Sequence, residues 1–389
     1  NGEPAAALPV SSLLTPHSSP LTERRAELDA KQDRVAALLG EVGAEGLLLL
    51  DPANIAWLTG APLTANIPDP ADWPALYLTA TARWLVSAST DTQRLFDQHL
   101  DGLGFQLKEW PWNWGRDRLL ADLRQNRRVA SDRLLPETVP LGPTLRRLRC
   151  TLTPAEQARY RALGAALAHA LEATCRNLEP GQTEEEVAGQ LAHRLLHHGI
   201  QPVALAVAAD GRVARHPRPG VTTAAVRSSC LIGAVAARAG LHVTAGRTVF
   251  LAPPDDGFRK QYDAACRIMA TLAAAGGPGT GAAPVLQAAE RVARLSSHDD
   301  AWRAGPAGHV TGWLPVERPL PPGNPLVLEA DWAVTWRAGV GAALCADTFL
   351  VAGSPACVTP PEPGLWPVKR VKVLEMTVDV PDLLVRAGG

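Results

Sequence analysis

The sequence predicts an α+β protein with two domains, a smaller α/β domain followed by a larger domain of helices and antiparallel strands. Short apolar runs alternate with helical patterns before residue 150, and two long capped helices follow Leu152. Two β-rich runs then meet at Gly240, which is typical of a hairpin. The boundaries that we predict are a mobile tail over 1–20, a first domain over 21–150 and a second over 151–389.

The first domain opens with a helix over 21–39, because Leu28, Val35 and Leu39 share one face. A buried strand is predicted over 46–50, and residues 51–60 are predicted as a turn and a loop. Trp110, Trp112 and Trp114 are predicted to share one loop and to cover the core or a subunit interface. The sequence further predicts strands over 76–79, 83–87 and 129–131, and helices over 91–100, 116–125 and 143–148.

The second domain opens with two capping boxes. Thr153 with Glu156 begins a helix that should run to residue 177, and Thr183 with Glu186 begins another that should end near Gly199. After the hairpin, the apolar spacing predicts helices over 262–275 and 285–295, then strands over 334–336, 345–351 and 371–378.

Composition excludes several classes of protein. The formal net charge is −1, so no bulk field favours nucleic acid or an anionic membrane. No apolar run reaches the roughly 20 residues that span a bilayer, and residues 1–20 lack a signal pattern. The six cysteines include no C-x-x-C pair, so we expect free thiols in a cytoplasmic protein. His193, His197 and His198 are interpreted as a solvent-facing helix end, not a metal site.

Residues 216–248 resemble the metal-binding hairpin of the creatinase, prolidase and aminopeptidase P family, which has the pita-bread fold. The family pattern is D-x-G-x(4)-G-Y-x-x-D-x-T-R-T. Alignment on Gly240 and Thr248 places Gly233 at the first metal aspartate and Thr244 at the second. The frame of the motif is therefore present, and its two metal ligands are not.

The remaining metal ligands of the family are replaced as well. Residues 302–313 resemble the histidine region, with Pro306 at the metal histidine and His309 three residues later. The final P-G to E-D-T stretch of the family places Arg337 and Ala346 at the two metal glutamates. All five ligand positions thus lack a metal-binding side chain, apart from a weak neutral hydroxyl at Thr244.

The resemblance covers residues 25–385 and implies a pita-bread domain behind a creatinase-like N-terminal domain, commonly as a homodimer. It also implies an ancestral two-metal cleavage of Xaa-Pro peptides. Hard divalent metals need anionic oxygen ligands, so we expect a non-catalytic or ligand-binding protein without a cofactor. Two enzymes stay open as alternatives, a creatinase-like, metal-independent C–N hydrolase and a divergent Xaa-Pro peptidase with an unconventional metal site. A structural protein whose dimer surface matters more than its pocket is a third alternative.

The candidate site follows from the same alignment. His216 falls on the family's substrate-side histidine and is the candidate acid–base catalyst, with a turn histidine bonded to backbone as the competing interpretation. The expected substrate-binding residues are His309, Trp313, Arg337 and Asp347. A buried Arg337 needs an anion, supplied internally by Glu329, Asp331 or Asp347, or by a carboxylate or phosphate ligand. The expected partners are a peptide or small anionic ligand and a second copy of the chain.

Overall fold

A computed structural model describes residues 20–296 and 305–386. The predicted tail over 1–20 lies outside these residues, apart from Pro20. The chain divides into two compact units, with the division between Arg149 and Cys150.

The first unit is built on a mixed six-stranded sheet in the order β4-β3-β2-β1-β5-β6. Strands β1 and β5 are parallel, whereas β2 runs antiparallel to both of its neighbours, β1 and β3. Its strands are β1 (Gly46–Leu49), β2 (Ala75–Leu78), β3 (Arg83–Ala88), β4 (Gln106–Trp110), β5 (Val129–Ser131) and β6 (Thr138–Pro140). Its helices are α1 (Leu21–Val42), α2 (Pro52–Thr59), α3 (Thr92–Leu95, continued by a π-helical turn over Phe96–Leu100), α4 (Asp117–Arg124) and α5 (Gly142–Cys150).

Two segments of this unit differ from the sequence prediction. The predicted loop after Asp51 is helix α2, because the Asp51 carboxylate accepts a hydrogen bond from the Ala53 amide at 3.0 Å and Pro52 occupies the first helical position. The predicted tryptophan loop begins as strand β4, which ends at the buried Trp110. Trp112 and Trp114 beyond it are 69% and 66% exposed.

The second unit contains a four-stranded sheet in the order β17-β9-β8-β7, a five-stranded antiparallel sheet in the order β11-β10-β12-β13-β14, and the hairpin β15-β16. Its helices are α6 (Pro154–Arg176), α7 (Glu184–His197), α8 (Asp256–Ala275) and α9 (Ala282–Leu295). Its strands are β7 (Gln201–Ala209), β8 (Ser229–Arg238), β9 (Leu241–Phe250), β10 (Gly308–Thr311), β11 (Arg318–Pro319), β12 (Ala333–Val340), β13 (Ala343–Leu350), β14 (Ala356–Cys357), β15 (Val368–Val373), β16 (Met376–Pro381) and β17 (Leu384–Val385).

Local signals explain the start of this unit. Both predicted capping boxes are present, at the N-termini of α6 and α7. The predicted hairpin is β8 and β9, whose turn residues Ala239 and Gly240 both have positive φ, as a two-residue type I′ turn requires. The predicted strand over 371–378 is instead a hairpin, because the chain reverses at Leu374 and Glu375, which also have positive φ.

Two expectations from composition concern thiols and membranes. All six cysteines are free, and all but Cys357 are buried. Across residues 20–296 and 305–386, no helix is both long and apolar enough to span a bilayer.

Candidate functional site

Four of the five positions that align with metal ligands lie on adjoining strands. On the β8-β9 hairpin, Gly233 pairs with Gly246, and Thr244 lies two residues from Gly246 on the same face. A Cβ atom added to Gly246 would lie 3.7 Å from the Cβ of Ala346 on β13. Ala346 pairs in turn with Arg337 on β12. The two strand pairs therefore bring these four positions to one place.

The fifth position joins the others through the segment that precedes β10. The backbone amide of Arg337 donates to the Ala307 carbonyl at 2.7 Å. A Cβ atom added to Gly305 would lie 2.7 Å from Nη1 of Arg337, so this glycine makes room for the guanidinium. Pro306, between these two contacts, lines the same pocket as Arg337.

The side chains at these positions do not fit a pair of divalent metals. Glycine, alanine and proline offer no donor atom, threonine offers a neutral oxygen, and arginine carries a positive charge. Within residues 20–296 and 305–386, no group of three His, Cys, Asp or Glu side chains is arranged to hold a metal ion.

Hydroxyl groups occupy the face where acids would be needed. Thr335 on β12 and Thr348 on β13 are paired, and their Oγ1 atoms lie 3.0 Å apart. Thr348 also bonds the backbone of Thr244, accepting from its amide at 3.1 Å and donating to its carbonyl at 2.8 Å. These buried hydroxyls are satisfied within the protein and tie β9 to β13.

Arg337 lines a small pocket beside this face. The pocket has a volume of about 40 Å³ and is bordered by Val213, Ala214 and Pro217. Its other walls are residues 305–307 before β10, Ile268 on α8, and residues of β12, β13 and the turn between them. The guanidinium donates from Nη2 to the Pro217 carbonyl. Burial lowers the pKa of Arg337, and the positive charge of Arg218 lowers it further.

The expected internal partners of Arg337 are engaged elsewhere. Asp347 bonds Arg247, and Asp331 accepts from the side-chain amide of Gln157 at 2.9 Å. Neither of these acids nor Glu329 pairs with Arg337. In the described part of the chain, no carboxylate lies within ion-pair distance of this guanidinium.

Asp347 lies in a buried ion-pair network on the other face of β13, because successive side chains of a strand alternate. Arg247 donates from Nη1 to Asp347 at 2.8 Å and from Nε to Glu172 at 2.9 Å. Burial raises the pKa of Asp347, and the charge of Arg247 opposes that rise. The expected substrate-binding carboxylate is thus already occupied within the core.

The loop over 211–220 forms one wall of the pocket. Arg212 donates to the buried Glu184 at 2.8 and 2.6 Å, which fixes the start of the loop. His216 is exposed, and its backbone amide donates to the Arg212 carbonyl at 3.1 Å. The next residue, Pro217, supplies the carbonyl that binds Arg337.

His309 and Trp313, the other expected substrate-binding residues, have different surroundings. His309 pairs with Thr335, two residues from Arg337 on the same face. Burial lowers its pKa to about 4, a hydrogen bond to the Pro315 carbonyl opposes the shift, and Arg218 adds to it. Trp313 is 1% exposed and does not border the pocket.

Sequence reasoning missed three contributors to this site: Gly305, Pro217 and Arg218. The sequence did contain a signal for Arg218, since residues 211–220 include three arginines, a histidine and no acid, which indicates a positively charged segment. The close approach of Gly305 to the guanidinium has no counterpart in the sequence pattern.

Comparisons with known proteins agree with this architecture. The model of metallopeptidase family M24 matches residues 158–351. The prolidase from Pyrococcus horikoshii OT3 is similar in structure, with a TM-score of 0.72, 14% identity, and coverage of 88% of this chain and 99% of that one. Dipeptidase PepE from Mycobacterium ulcerans has a TM-score of 0.71 and 21% identity, covering 87% and 97%.

The same fold occurs in a protein with a different description. The N-terminal domain of the FACT complex subunit SPT16 from Cicer arietinum has a TM-score of 0.64 and 12% identity, covering 88% of this chain and 97% of that one. No curated protein matches the chain in sequence.

Proposed function

Because the chain is a member of metallopeptidase family M24, we propose that it is a non-catalytic member that binds a ligand in the pocket beside Arg337. The family's two-metal reaction needs cations held by carboxylates and an imidazole. This chain keeps the strands that would carry those ligands and replaces the ligands themselves.

One observation carries the proposal: the guanidinium of Arg337 stands where the alignment places a metal glutamate, next to Ala346 at the other glutamate position. At ~4 Å and an effective dielectric constant of ~20, a fixed positive charge repels a divalent ion by about 8 kcal/mol. A carboxylate at the same place would attract it by a similar amount. The substitution therefore reverses the electrostatic preference of the site.

The geometry gives less support to a hydrolase that uses His216. An acid–base catalyst must come within hydrogen-bond reach of the reacting group, and the His216 side chain is exposed on the loop over 211–220. A divergent peptidase with an unconventional metal site would need acids that the described pocket lining lacks.

An interaction protein is the second candidate. The exposed Trp112 and Trp114 favour it, since two large aromatic side chains in contact with water are suited to an interface. The likeness to a domain of a FACT complex subunit is compatible with such a role for this fold. Light scattering of the chain and of a Trp112→Ala/Trp114→Ala variant tests the homodimer; a monomer at high micromolar concentration contradicts it.

Peptide hydrolysis tests the main proposal. The purified chain is incubated with Ala-Pro and with longer Xaa-Pro peptides, with added manganese, cobalt or zinc and separately with a chelator. We expect no release of the N-terminal residue under any condition. Cleavage that needs the metal would contradict the proposal. Turnover that survives the chelator, is lost in His216→Ala and is kept in His193→Ala, an exposed control, would establish the metal-independent hydrolase.

A further inference from the structure

We propose that the pocket beside Arg337 is an oxyanion site, which binds a carboxylate or phosphate group through the Arg337 guanidinium with Arg218 as a second positive charge. The inference rests on the proposed ligand-binding function and specifies the chemistry of the ligand. It follows from the placement of Arg337, the balance of charge and the size of the pocket.

The Arg337 side chain is held in position by two features of the backbone. The Pro217 carbonyl accepts one N–H of the guanidinium. Gly305 leaves the space that Nη1 occupies, since a Cβ there would lie at 2.7 Å. Within the described residues, one N–H is thus engaged and others are left for a ligand, because a guanidinium carries five donors in a planar fork. A preorganised fork of this kind matches the two oxygens of a carboxylate or phosphate.

The charge around the pocket is positive and uncompensated within the described residues. Arg218 is near enough to influence both Arg337 and His309 electrostatically. Of the three arginines in the loop over 211–220, Arg212 is the one paired with an acid, Glu184. Two neighbouring cations, one of them half-buried, destabilise each other. A bound anion would remove this repulsion.

The size of the pocket limits what can enter it. A volume of about 40 Å³ corresponds to roughly three water molecules, at ~10–15 Å³ for each. This accommodates the oxygens of a single carboxylate or phosphate group but not a whole dipeptide. The rest of a larger ligand would lie outside the pocket.

Isothermal titration calorimetry with inorganic phosphate, acetate, Ala-Pro and the C-terminal amide of Ala-Pro tests the site on the full chain. We expect binding of phosphate or acetate at millimolar concentrations. If the ligand group is a peptide carboxylate, Ala-Pro binds and its amide does not. If it is a phosphate, inorganic phosphate binds more tightly than both carboxylates.

Variants then connect the binding to the arginine. Arg337→Gln should weaken binding about tenfold or more, and Arg337→Lys should retain part of it, because lysine keeps the charge but loses the fork. Arg370→Gln is the matched control, since Arg370 is an exposed arginine on β15 and its removal should leave the affinity unchanged. Gly305→Ala keeps every charge but displaces the guanidinium, so it should weaken binding in a chain that still folds.

Two outcomes would overturn the inference. They are no binding of any probe, and equal binding by Arg337→Gln and the parent. An inactive chain that binds no oxyanion leaves the proposed loss of peptidase chemistry standing. Metal-dependent cleavage together with oxyanion binding would overturn the proposed loss of peptidase chemistry and leave the oxyanion site standing.

Discussion

Arg247 on β9 donates a hydrogen bond from Nη1 to the buried carboxylate of Asp347 on β13, over 2.8 Å. The same guanidinium bonds Glu172 on α6 at 2.9 Å, so one cation joins a helix and two strands. Asp347 follows directly after Ala346, yet its carboxylate is committed to the core and faces away from Arg337. The acid nearest in sequence to the aligned metal position is therefore unavailable to that position.

Arg247→Met should destabilise the protein by about 3–5 kcal/mol, because it leaves the carboxylates of Glu172 and Asp347 buried without a cation. Urea denaturation followed by circular dichroism measures the change. Arg370→Met removes one partner of an exposed pair with Asp379 and should cost less than about 1 kcal/mol. Equal effects of the two substitutions would contradict the structural role of Arg247.

Glu184→Gln should loosen the loop over 211–220 that forms the pocket wall. Burial favours the protonated form of Glu184, but hydrogen bonds from Arg212, Thr222 and the Ala209 amide outweigh it and lower the pKa. A lowered folded-state pKa stabilises the protein above the unfolded pKa, and this stability is lost as the pH falls through the folded one.

The expected cost of Glu184→Gln is therefore about 3 kcal/mol at neutral pH and declines toward strongly acidic pH. Denaturation of parent and variant across the acid range measures it. Glu290→Gln, in an exposed helical pair with Arg294, serves as the control and should cost less than about 1 kcal/mol. A difference between parent and Glu184→Gln that does not change with pH would refute the assignment.

His309 should remain neutral until the pH falls to about 4, because burial lowers its pKa. The unfolded chain takes up this proton near 6.5, the ordinary pKa of histidine. Between these values the unfolded state binds more protons, so stability falls as the pH falls from 6.5 to 4. NMR titration of the imidazole, assigned with His309→Gln, measures the pKa. Titration near 6.5 would mean that the His309 side chain is solvated and not buried on the sheet face that carries Arg337.

Local sequence signals predicted much of the fold. The capping boxes at Thr153 and Thr183 and the turn at Gly240 act over a few residues, so their patterns are visible in the chain. Asp51 followed by Pro52 is a helix start of the same kind, although the prediction for residues 51–60 is a turn and a loop. In strand β4, Trp110 is buried and the four residues before it are exposed or half-buried. Its sequence therefore gives little periodic signal.

The candidate site was predictable only as a set of positions. The family resemblance aligned Gly233, Thr244 and Ala346, and the strand registers place them together. It could not predict the partner of Arg337, because that depends on contacts between residues more than a hundred positions apart. The alternation of side chains along β13 also separates Asp347 from Ala346, a distinction that needs the register of the strand.

Metal content tests the central claim most directly. The parent and a Gly233→Asp/Thr244→Asp/Pro306→His/Arg337→Glu/Ala346→Glu variant are loaded with manganese or zinc, dialysed and measured by elemental mass spectrometry. Both proteins are made in a His193→Ala/His197→Ala background, which serves as the parent here. These exposed histidines lie one helical turn apart and could chelate a metal by themselves. We predict no retained metal in the parent and about one or two ions per chain in the folded five-substitution variant. Stoichiometric metal in the parent would contradict the loss of the metal centre and restore the peptidase interpretation.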